Sequence, residues 1–553
     1  MEENQEIGWA ERIQSILGKI MVLLYVVVNI KNGSSAWFFS WGVILFCFVF
    51  IKYKVNRLES IFVIGIFFIY YLLKKLDIYY VNEIIVSNSI ALFGFMVMMI
   101  DWKERYRFIK IICFLLVIPI ISYASYYVKK DKIIKDSYLE KTILRQLDQG
   151  DKKINIEDLE KIEQLNLEDE VMELEGIENL KNLRELEIDC DDLYEYSRLG
   201  ELKNLKILWL YNVKGKELSF LKNLSHLEEL NISFDDKNTK NILLPKSLKR
   251  LFITMEDNIN LSFIETASNL EELNLSETQI KDFTFLSHLK NLKKFNISQT
   301  YIKDLEGIEK LVSLEELDIS RNNIKDLEPL RNLTNLKKLN LHNDIEINDI
   351  SVIKDLINLE ELNLSQCRVK DFKPLENLKN LKALNIDDNL PYNTKEKKLV
   401  FPKNIERVGA LTNLKELHVT GLGLKNLEFA KELRELEILY AKRNEIESIE
   451  EIQRLKNLKC VDLYQNKIKD IVPIAALTHL EELDLIGNEI VDITPLEKLT
   501  NLRNLDLSSN QIVDISSLRN MKKLEYVGLY QNNIRDYSPI KHLGKIYEKY
   551  TND

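Results

Sequence analysis

The chain has 553 residues, which is too many for one compact core, so two or more structural units are expected. Of its 76 Lys/Arg and 86 Asp/Glu, residues 1–130 hold 14 and 9, which leaves 62 and 77 in the remainder, a net charge of −15. Because an acidic surface repels phosphate backbones, this remainder predicts no nucleic-acid partner.

Five apolar stretches follow one another in the first 130 residues, each of about 16–21 residues, close to the ~17–25 that cross a bilayer as a helix. Charged residues lie at their joints and Tyr and Trp crowd their ends, as is typical of membrane interfaces. A cleavable signal peptide is disfavoured, because the N-terminus is acidic and further apolar stretches follow the first. We therefore predict a multi-pass transmembrane region of about five helices in the plasma membrane, with the stretches at residues 13–30, 34–51, 58–73, 84–100 and 108–128.

The positive charges on the two sides of the membrane are nearly equal in number, so they hardly decide which side carries the rest of the chain. With five spans, one face has seven Lys/Arg, and the other has three in its loops and four more directly after the last span. If those four residues are discounted, the excess of positive charge, which marks the cytoplasmic side, lies on the face opposite the rest of the chain. This slightly favours an extracytoplasmic position for the rest of the chain. Cys190 and Cys460, which we expect to be accessible thiols, favour the reducing side instead. A polar cluster at Ser87, Asn88 and Ser89 is explained by helix–helix hydrogen bonding or by a site inside the membrane.

A repeated frame organises the chain from residue 162 onward. The stretch at 480–493, LEELDLIGNEIVDI, reads L-x-x-L-x-L-x-x-N-x-I-x-x-I, and most copies lie 22 residues apart. One step, from Leu381 to Leu414, is 33 residues, so an insertion follows Asn389; its lysines suggest either a partner contact or a solvated loop. We count 17 repeats, whose first apolar residues are Ile162, Leu183, Leu205, Leu227, Leu248, Leu270, Leu292, Leu314, Leu336, Leu359, Leu381, Leu414, Leu436, Leu458, Leu480, Leu502 and Leu524.

Each part of the frame has a structural meaning. Because successive side chains of a strand point to opposite faces, Leu483 and Leu485 point inward, and Asp484 and the equivalent residues of other repeats point outward. The chain then turns at an Asn whose amide can satisfy buried backbone groups and form a ladder from coil to coil. A D-x-x-P-[LI] motif follows, in which Pro begins a short helical turn. Single coils cannot bury their leucines, so they must stack. The asparagines in this slot are Asn322, Asn389, Asn444, Asn466, Asn488, Asn510 and Asn532.

This frame resembles the 22-residue class of bacterial leucine-rich repeats, including internalin-like proteins, and the resemblance covers roughly residues 138–553. It implies a solenoid with a curved parallel sheet on its concave face, short 3-10 or helical turns on its convex face, and protein recognition on the concave face. The chain differs from typical internalins, because apolar spans replace a signal peptide and no sorting motif or immunoglobulin-like segment follows. We therefore predict an α-helical transmembrane region at 1–130, a linker and helical cap at 131–161, an α/β solenoid at 162–540 and a short cap at 541–553.

Two sets of side chains on the expected concave face are candidates for partner binding, because exposed aromatic residues on rigid strands are favoured contact residues. The middle repeats carry only small polar residues there, such as Asn274 and Ser276, which we expect to be idle. The first set could instead fill an irregular repeat or contact the cap. It consists of Trp209, Tyr211 and Phe252, and the second of His418, Tyr440, Lys442, Tyr464, Ile486 and Tyr530.

No catalytic motif, nucleotide-binding loop or metal-ligand spacing occurs, so we expect neither an enzyme nor a bound cofactor or metal. The sequence favours a membrane-anchored recognition protein that binds an unidentified protein ligand. Two alternatives remain open: a membrane enzyme or transporter regulated by the repeats, and a scaffold that faces the cytoplasm.

Overall fold

The computed structural model describes residues 132–545, except 151–152, 169–170, 191–192, 194, 214–217, 235–241, 255–259, 281, 390–391 and 394–397. The predicted transmembrane region at 1–130 therefore lies outside the described residues. Within the described ranges, no helix has the length and apolar character needed to span a bilayer.

Two helices precede the first strand. Helix α1 spans Ser137–Gln146 and buries Leu139 and Ile143. Helix α2 spans Ile156–Leu159, and the side chain of Asn155 caps it by accepting from the N–H of Asp158. The Asp158 carboxylate accepts from Gln149 and pairs with Lys161, which ties the loop after α1 to α2. These contacts hold the segment in front of the sheet as a folded element.

The described strands form one 17-stranded parallel sheet and one small hairpin. Each strand of the large sheet pairs in parallel with the next strand of that sheet along the chain, with one register shift between β3 and β4, as expected when every coil contributes one strand. Its strands are β1 Gln164–Glu168, β2 Glu185–Asp189, β3 Ile207–Val213, β4 Glu229–Phe234, β5 Arg250–Thr254, β6 Glu272–Asn274, β7 Lys294–Asn296, β8 Glu316–Asp318, β9 Lys338–Asn340, β10 Glu361–Asn363, β11 Ala383–Asn385, β14 Glu416–His418, β15 Ile438–Tyr440, β16 Cys460–Asp462, β17 Glu482–Asp484, β18 Asn504–Asp506 and β19 Tyr526–Gly528. The hairpin is formed by β12 Tyr392–Asn393 and β13 Lys398–Leu399.

The core is a stack of inward leucines and isoleucines. In β17 only the central Leu483 is buried, and Leu485 follows it inside, as the alternation predicts. In most coils the chain returns through a short 3-10 turn, and Pro is the second residue of some of these turns, so the predicted solenoid with 3-10 turns is confirmed. The turns are Ile177–Asn179, Ser197–Glu201, Ser219–Asn223, Leu261–Thr266, Thr284–His288, Ile308–Lys310, Glu328–Leu330, Ser351–Asp355, Lys373–Asn377, Ile405–Ala410, Glu428–Ala430, Glu450–Arg454, Val472–Ala476, Thr494–Lys498, Ser516–Asn520 and Ser538–Leu543.

The predicted asparagine ladder is confirmed. The amide of Asn488 donates to the carbonyls of Leu485 and Leu463, and its oxygen accepts from the N–H of Ile468. Asn466 and Asn510 repeat this pattern one coil before and one coil after. Each amide therefore joins two coils, and each satisfies backbone groups that would be costly to bury without partners.

A second ladder, which the sequence analysis missed, runs along the side where the chain approaches the sheet. The amide of Asn501 donates to the carbonyl of Thr478, and Asn413 donates to Lys379 one coil back. His226 and His479 occupy the same slot and bond to backbone carbonyls through Nδ1. Two of the chain's histidines are thus explained by coil-to-coil bonding.

The 33-residue coil contains the β12–β13 hairpin, and the next coil carries two glycines that pack against it. Gly421 and Gly423 have φ values of +67° and +68°, and an added Cβ at Gly423 would overlap the ring of Phe401. Residues after the hairpin rejoin the stack through a bridge between Asp371 and Lys403. The G-x-G pattern is therefore explained by close packing under the inserted segment.

One expectation about the cysteines is wrong. Cys190 is 1% exposed, and its thiol contacts the carbonyl of Leu167, because it takes the slot that follows an inward leucine pair. Cys367 is buried in the ladder and donates to the carbonyl of Leu341. Cys460 is half-buried on the sheet. Among the three described cysteines, only Cys460 therefore offers a partly accessible thiol.

Candidate functional site

The outer face of the large sheet, which points away from the leucine core, presents three rows of side chains. We call them the first, second and third rows; in the coil of β14 they hold Glu416 and His418 of the strand and Thr420, two residues after the strand ends. Strand pairing places the residues of one row next to each other on successive strands, about 4.8 Å apart. The three residues that each coil contributes to these rows therefore form its part of the outer surface.

The middle of this face neutralises its own charges. In the first row, Lys294 pairs with Glu316 at 3.1 Å, and Lys338 pairs with Glu361 at 2.8 Å. In the second row, Oδ1 of Asn274 accepts the backbone N–H of Ser276 at 2.9 Å. The Asn274 side chain thus holds the end of its strand, and the expectation that Asn274 and Ser276 take no part in partner binding stays a prediction.

Three members of the second predicted set meet on β14 and β15. The rings of His418 and Tyr440 are 4.6 Å apart, and Lys442 Nζ lies 5.3 Å from the Tyr440 ring centre. His418 also bonds to Glu416 at 2.7 Å, and Lys442 pairs with Asp462 at 2.7 Å. Burial and the nearby Cys460 raise the pKa of Tyr440 to about 12, so its hydroxyl stays protonated. The cluster is a rigid surface that combines aromatic and charged groups.

The other members extend along the third row. Tyr464 and Ile486 follow Lys442 on the next two strands and are half-exposed. Tyr530 lies two coils beyond Ile486, with Ser508 between them, and is 44% exposed. The structure thus brings Lys442, Tyr464 and Ile486 together and sets Tyr530 apart. The first and second rows add neighbours that were not predicted as contact residues: Ile438, Cys460, Tyr526, Asp462, Asp484 and Asp506. Their two-residue spacing from the chosen residues could have identified them.

The first predicted set is less continuous. Trp209 and Phe252 are separated by Asn231, because β4 lies between β3 and β5. The Trp209 indole donates to Glu229 at 3.1 Å. Burial raises the pKa of Tyr211, which lies two residues after Trp209 on β3. These three side chains are half-buried and surround a polar centre.

A buried carboxyl group interrupts the asparagine ladder at Asp344, which is 0% exposed. Its Oδ1 accepts the N–H of Ile324 at 3.1 Å, as a ladder oxygen does. Its Oδ2 occupies the place of the amide and has no hydrogen-bond partner among the described residues. Burial raises the pKa of Asp344 to about 7. Because the Asp344 carboxyl lies inside the stack, we expect it to affect the stability of the coil.

A polar groove of about 620 Å³ lies on the rim where β4 to β7 begin. Its Lys249 and Lys293 are paired with Glu228 and Glu271 at 2.9 and 2.8 Å. Neither predicted set borders this groove. In the part of the chain that the structure describes, no three His, Cys, Asp or Glu side chains are grouped to hold a metal ion.

The repeats match a known family model. The model described as Leucine Rich repeats (2 copies) matches residues 268–310, 312–355, 456–498 and 500–542. No curated protein matches the chain. The chain therefore carries leucine-rich repeats, and such repeats typically mediate protein–protein interaction.

The chain is similar to several solved structures, and the two with TM-scores above 0.5 share its fold. A leucine-rich-repeat protein of Leptospira interrogans is 26% identical, covers 68% of this chain and 91% of its own, and has a TM-score of 0.51. The ectodomain of the plant membrane receptor kinase GASSHO1/SCHENGEN3 from Arabidopsis thaliana, in complex with CASPARIAN STRIP INTEGRITY FACTOR 2, is 23% identical over 66% of this chain and 46% of its own, with a TM-score of 0.51. An internalin from Listeria monocytogenes is 24% identical over 75% and 94%, with a TM-score of 0.35.

Proposed function

We propose that this protein is a recognition protein whose solenoid binds a protein partner on the outer sheet face, the concave face expected of such repeats, over β14 to β19. The observation that carries the proposal is the change in side chains along one continuous sheet. Charged and small polar residues, with His342, cover β6 to β10, whereas aromatic and aliphatic side chains stand exposed or half-exposed from β14 onward.

The proposed contact surface has the composition of an interface centre. Tyr440, Tyr464 and Ile486 lie on neighbouring or next-neighbouring strands, so they form one patch. Aromatic side chains lose little conformational freedom on binding, and strands with inward leucines hold them in place. His418 and Lys442 supply polar contacts at one end of the patch.

Site-specific photo-cross-linking in cells tests this function on the full-length chain. A benzoylphenylalanine at position 464 should give a discrete adduct after irradiation. The same group at Lys338, on the self-paired part of the face, or at the exposed Val491, away from the sheet, should not. Adducts at 338 or 491 in place of 464 would contradict binding at β14 to β19.

The membrane anchor and the extracytoplasmic position of the solenoid belong to the same proposal and are supported by the five apolar stretches and the loop charges. The test is labelling of a Gln511→Cys variant in intact cells with a membrane-impermeant maleimide, because Gln511 is exposed. Labelling without lysis supports the extracytoplasmic position. Protection until lysis would favour the cytoplasmic scaffold.

A further inference from the structure

From β6 onward most second-row residues of the outer sheet face are Asn or Asp, and their contact at the end of the strand needs an oxygen acceptor but no charge. Asn296 and Asn363 each accept the backbone N–H two residues later, at 2.9 and 3.0 Å. Asp484 and Asp506 make the same contact, to Ile486 and Ser508, both at 2.9 Å. Since Asn and Asp both end the strand in this way, the fold by itself does not explain a carboxylate.

Three carboxylates nevertheless follow one another in this row. Strand pairing sets Asp462 opposite Asp484 and Asp484 opposite Asp506. Like charges directly opposite each other on neighbouring strands destabilise a sheet. Burial and the two flanking aspartates raise the pKa of Asp484 to about 6, so its carboxylate is still largely ionised at pH 7. The sequence therefore keeps an arrangement that costs stability where Asn would serve.

The protein compensates only part of this negative charge. Lys442 pairs with Asp462 at 2.7 Å, and the Tyr526 hydroxyl donates to Asp506 at 2.8 Å. Among the described residues, no Lys, Arg or His forms an ion pair with Asp484 or Asp506, whereas the first-row lysines of β7 and β9 pair with glutamates of β8 and β10. The uncompensated charge thus lies inside the proposed contact surface.

The surroundings of these two carboxylates favour one kind of occupant. Tyr464 and Ile486 lie in the third row beside them, half-exposed, and Tyr526 lies in the first row, 42% exposed. A guanidinium can bridge two neighbouring carboxylates with its fork of N–H donors and lay its plane and stem against aromatic and aliphatic side chains. An ammonium gives a point charge and no such plane.

We infer that the occupant of this aromatic surface is a segment of a partner protein that places an arginine side chain between Asp484 and Asp506, with Tyr464, Ile486 and Tyr526 around its stem. This inference rests on the proposed function, because it names the chemistry of the partner at that surface. In this arrangement the aromatic and aliphatic side chains supply affinity, and the two carboxylates supply selectivity for arginine.

The test uses the full-length chain in detergent and an array of random 12-residue peptides, each made with arginine, lysine or the neutral isostere citrulline at its centre. Arginine peptides should bind at least about tenfold more tightly than their citrulline partners, and the preference should weaken with added salt. An Asp484→Asn/Asp506→Asn variant keeps both backbone contacts and should lose the preference. Asp318→Asn, which makes the same backbone contact on β8, is the matched control and should retain it.

Equal binding of arginine and citrulline peptides, or binding of neither, would overturn the inference. So would a loss of preference in Asp318→Asn as large as that in the double variant. Photo-cross-linking from position 464 distinguishes failure of the arginine inference from failure of the proposed function. If the double variant still forms the adduct in full, binding at this face stands and the arginine is wrong; if the unaltered chain forms no adduct at 464, the proposed function itself fails.

Discussion

Nη2 of Arg443 lies 3.0 Å from Oδ2 of Asp388, although 55 residues separate the two side chains. The coil between them carries Gly421 in the same turn position, with φ at +67°. A Cβ there would lie 2.3 Å from Oδ1 of Asp388. The glycine therefore leaves room for an ion pair that spans the coil between Asp388 and Arg443.

Gly421→Ala is expected to destabilise the solenoid by about 1–3 kcal/mol, since the new Cβ displaces Asp388 and an L residue is strained at this φ. Urea unfolding of the full-length chain followed by tryptophan fluorescence measures the change. Arg443→Gln is the matched control: the pair is exposed, so its loss should cost less than about 1 kcal/mol. A larger loss of stability in Arg443→Gln than in Gly421→Ala would show that the ion pair, and not the space left by Gly421, determines the stability here.

Asp344 should make the stability of the solenoid depend on pH. Burial raises its pKa to about 7 in the folded chain, from 3.8, so between these values the folded state binds the extra proton. Stability is therefore greatest below about pH 4, falls as pH rises to about 7, and is constant above it with respect to this group. Asp344→Asn restores the amide of the ladder, should remove this slope, and should stabilise the protein by about 2–4 kcal/mol at pH 8.

The measurement is the free energy of unfolding of both chains between pH 4 and pH 8. Asn488→Asp is the converse control, because it creates the same buried carboxyl in a regular coil. It should destabilise more at pH 8 than at pH 5. An unchanged pH slope in Asp344→Asn would mean that other groups dominate this range.

Asp484 should behave differently in its two simplest variants. Asp484→Asn keeps the contact to the Ile486 N–H and removes a like charge, so it should stabilise by about 0.5–1 kcal/mol at pH 7. Because the raised pKa of Asp484 is about 6, this gain should fade as pH falls toward 4. Asp484→Ala loses the contact and should destabilise by about 1 kcal/mol. Thermal unfolding at pH 7 and pH 4 compares them, and equal effects of Asn and Ala would contradict the capping role.

Truncation of the aromatic patch should weaken partner binding and leave folding intact. Tyr464→Ala is expected to reduce the yield of the adduct formed from a photo-cross-linker placed at Ile486 by at least about tenfold, as for a contact residue at an interface centre. Tyr301→Ala is the control, because Tyr301 is 71% exposed and lies away from β14 to β19. An equal loss in both variants would argue against a localised surface.

The three described cysteines should differ in reactivity. Burial raises the pKa of the Cys460 thiol to about 11 and that of Cys367 to about 12, and Cys190 is 1% exposed. Since the thiolate is the reactive form, Cys460 should react slowly with maleimide at pH 7 and faster as pH rises to 9, while Cys190 and Cys367 stay protected until denaturation. Peptide mass mapping after timed labelling reads each site. Early modification of Cys190 would contradict its burial.

The sequence alone determined the features that repeat. A leucine at every second position of a strand and an asparagine at every turn recur at fixed spacing, and any such coil must stack to bury them, so Leu483, Leu485 and Asn488 predict their own surroundings. The residues of the outer sheet face could likewise be chosen by counting from the nearest leucine, which identified Tyr440, Tyr464 and Ile486.

Only the tertiary structure decided the features that depend on relations between coils. The pairing of Asp484 with Asp506, the bonds of Asn501 to the preceding coil and the reach of Arg443 to Asp388 join residues at least 22 positions apart, and their energies depend on the distances of side chains in register. The same holds for Asp344 and Cys190. A single repeat shows which slot they occupy, but burial by the neighbouring coils decides whether that slot leaves a carboxyl without a partner or a thiol out of reach of solvent.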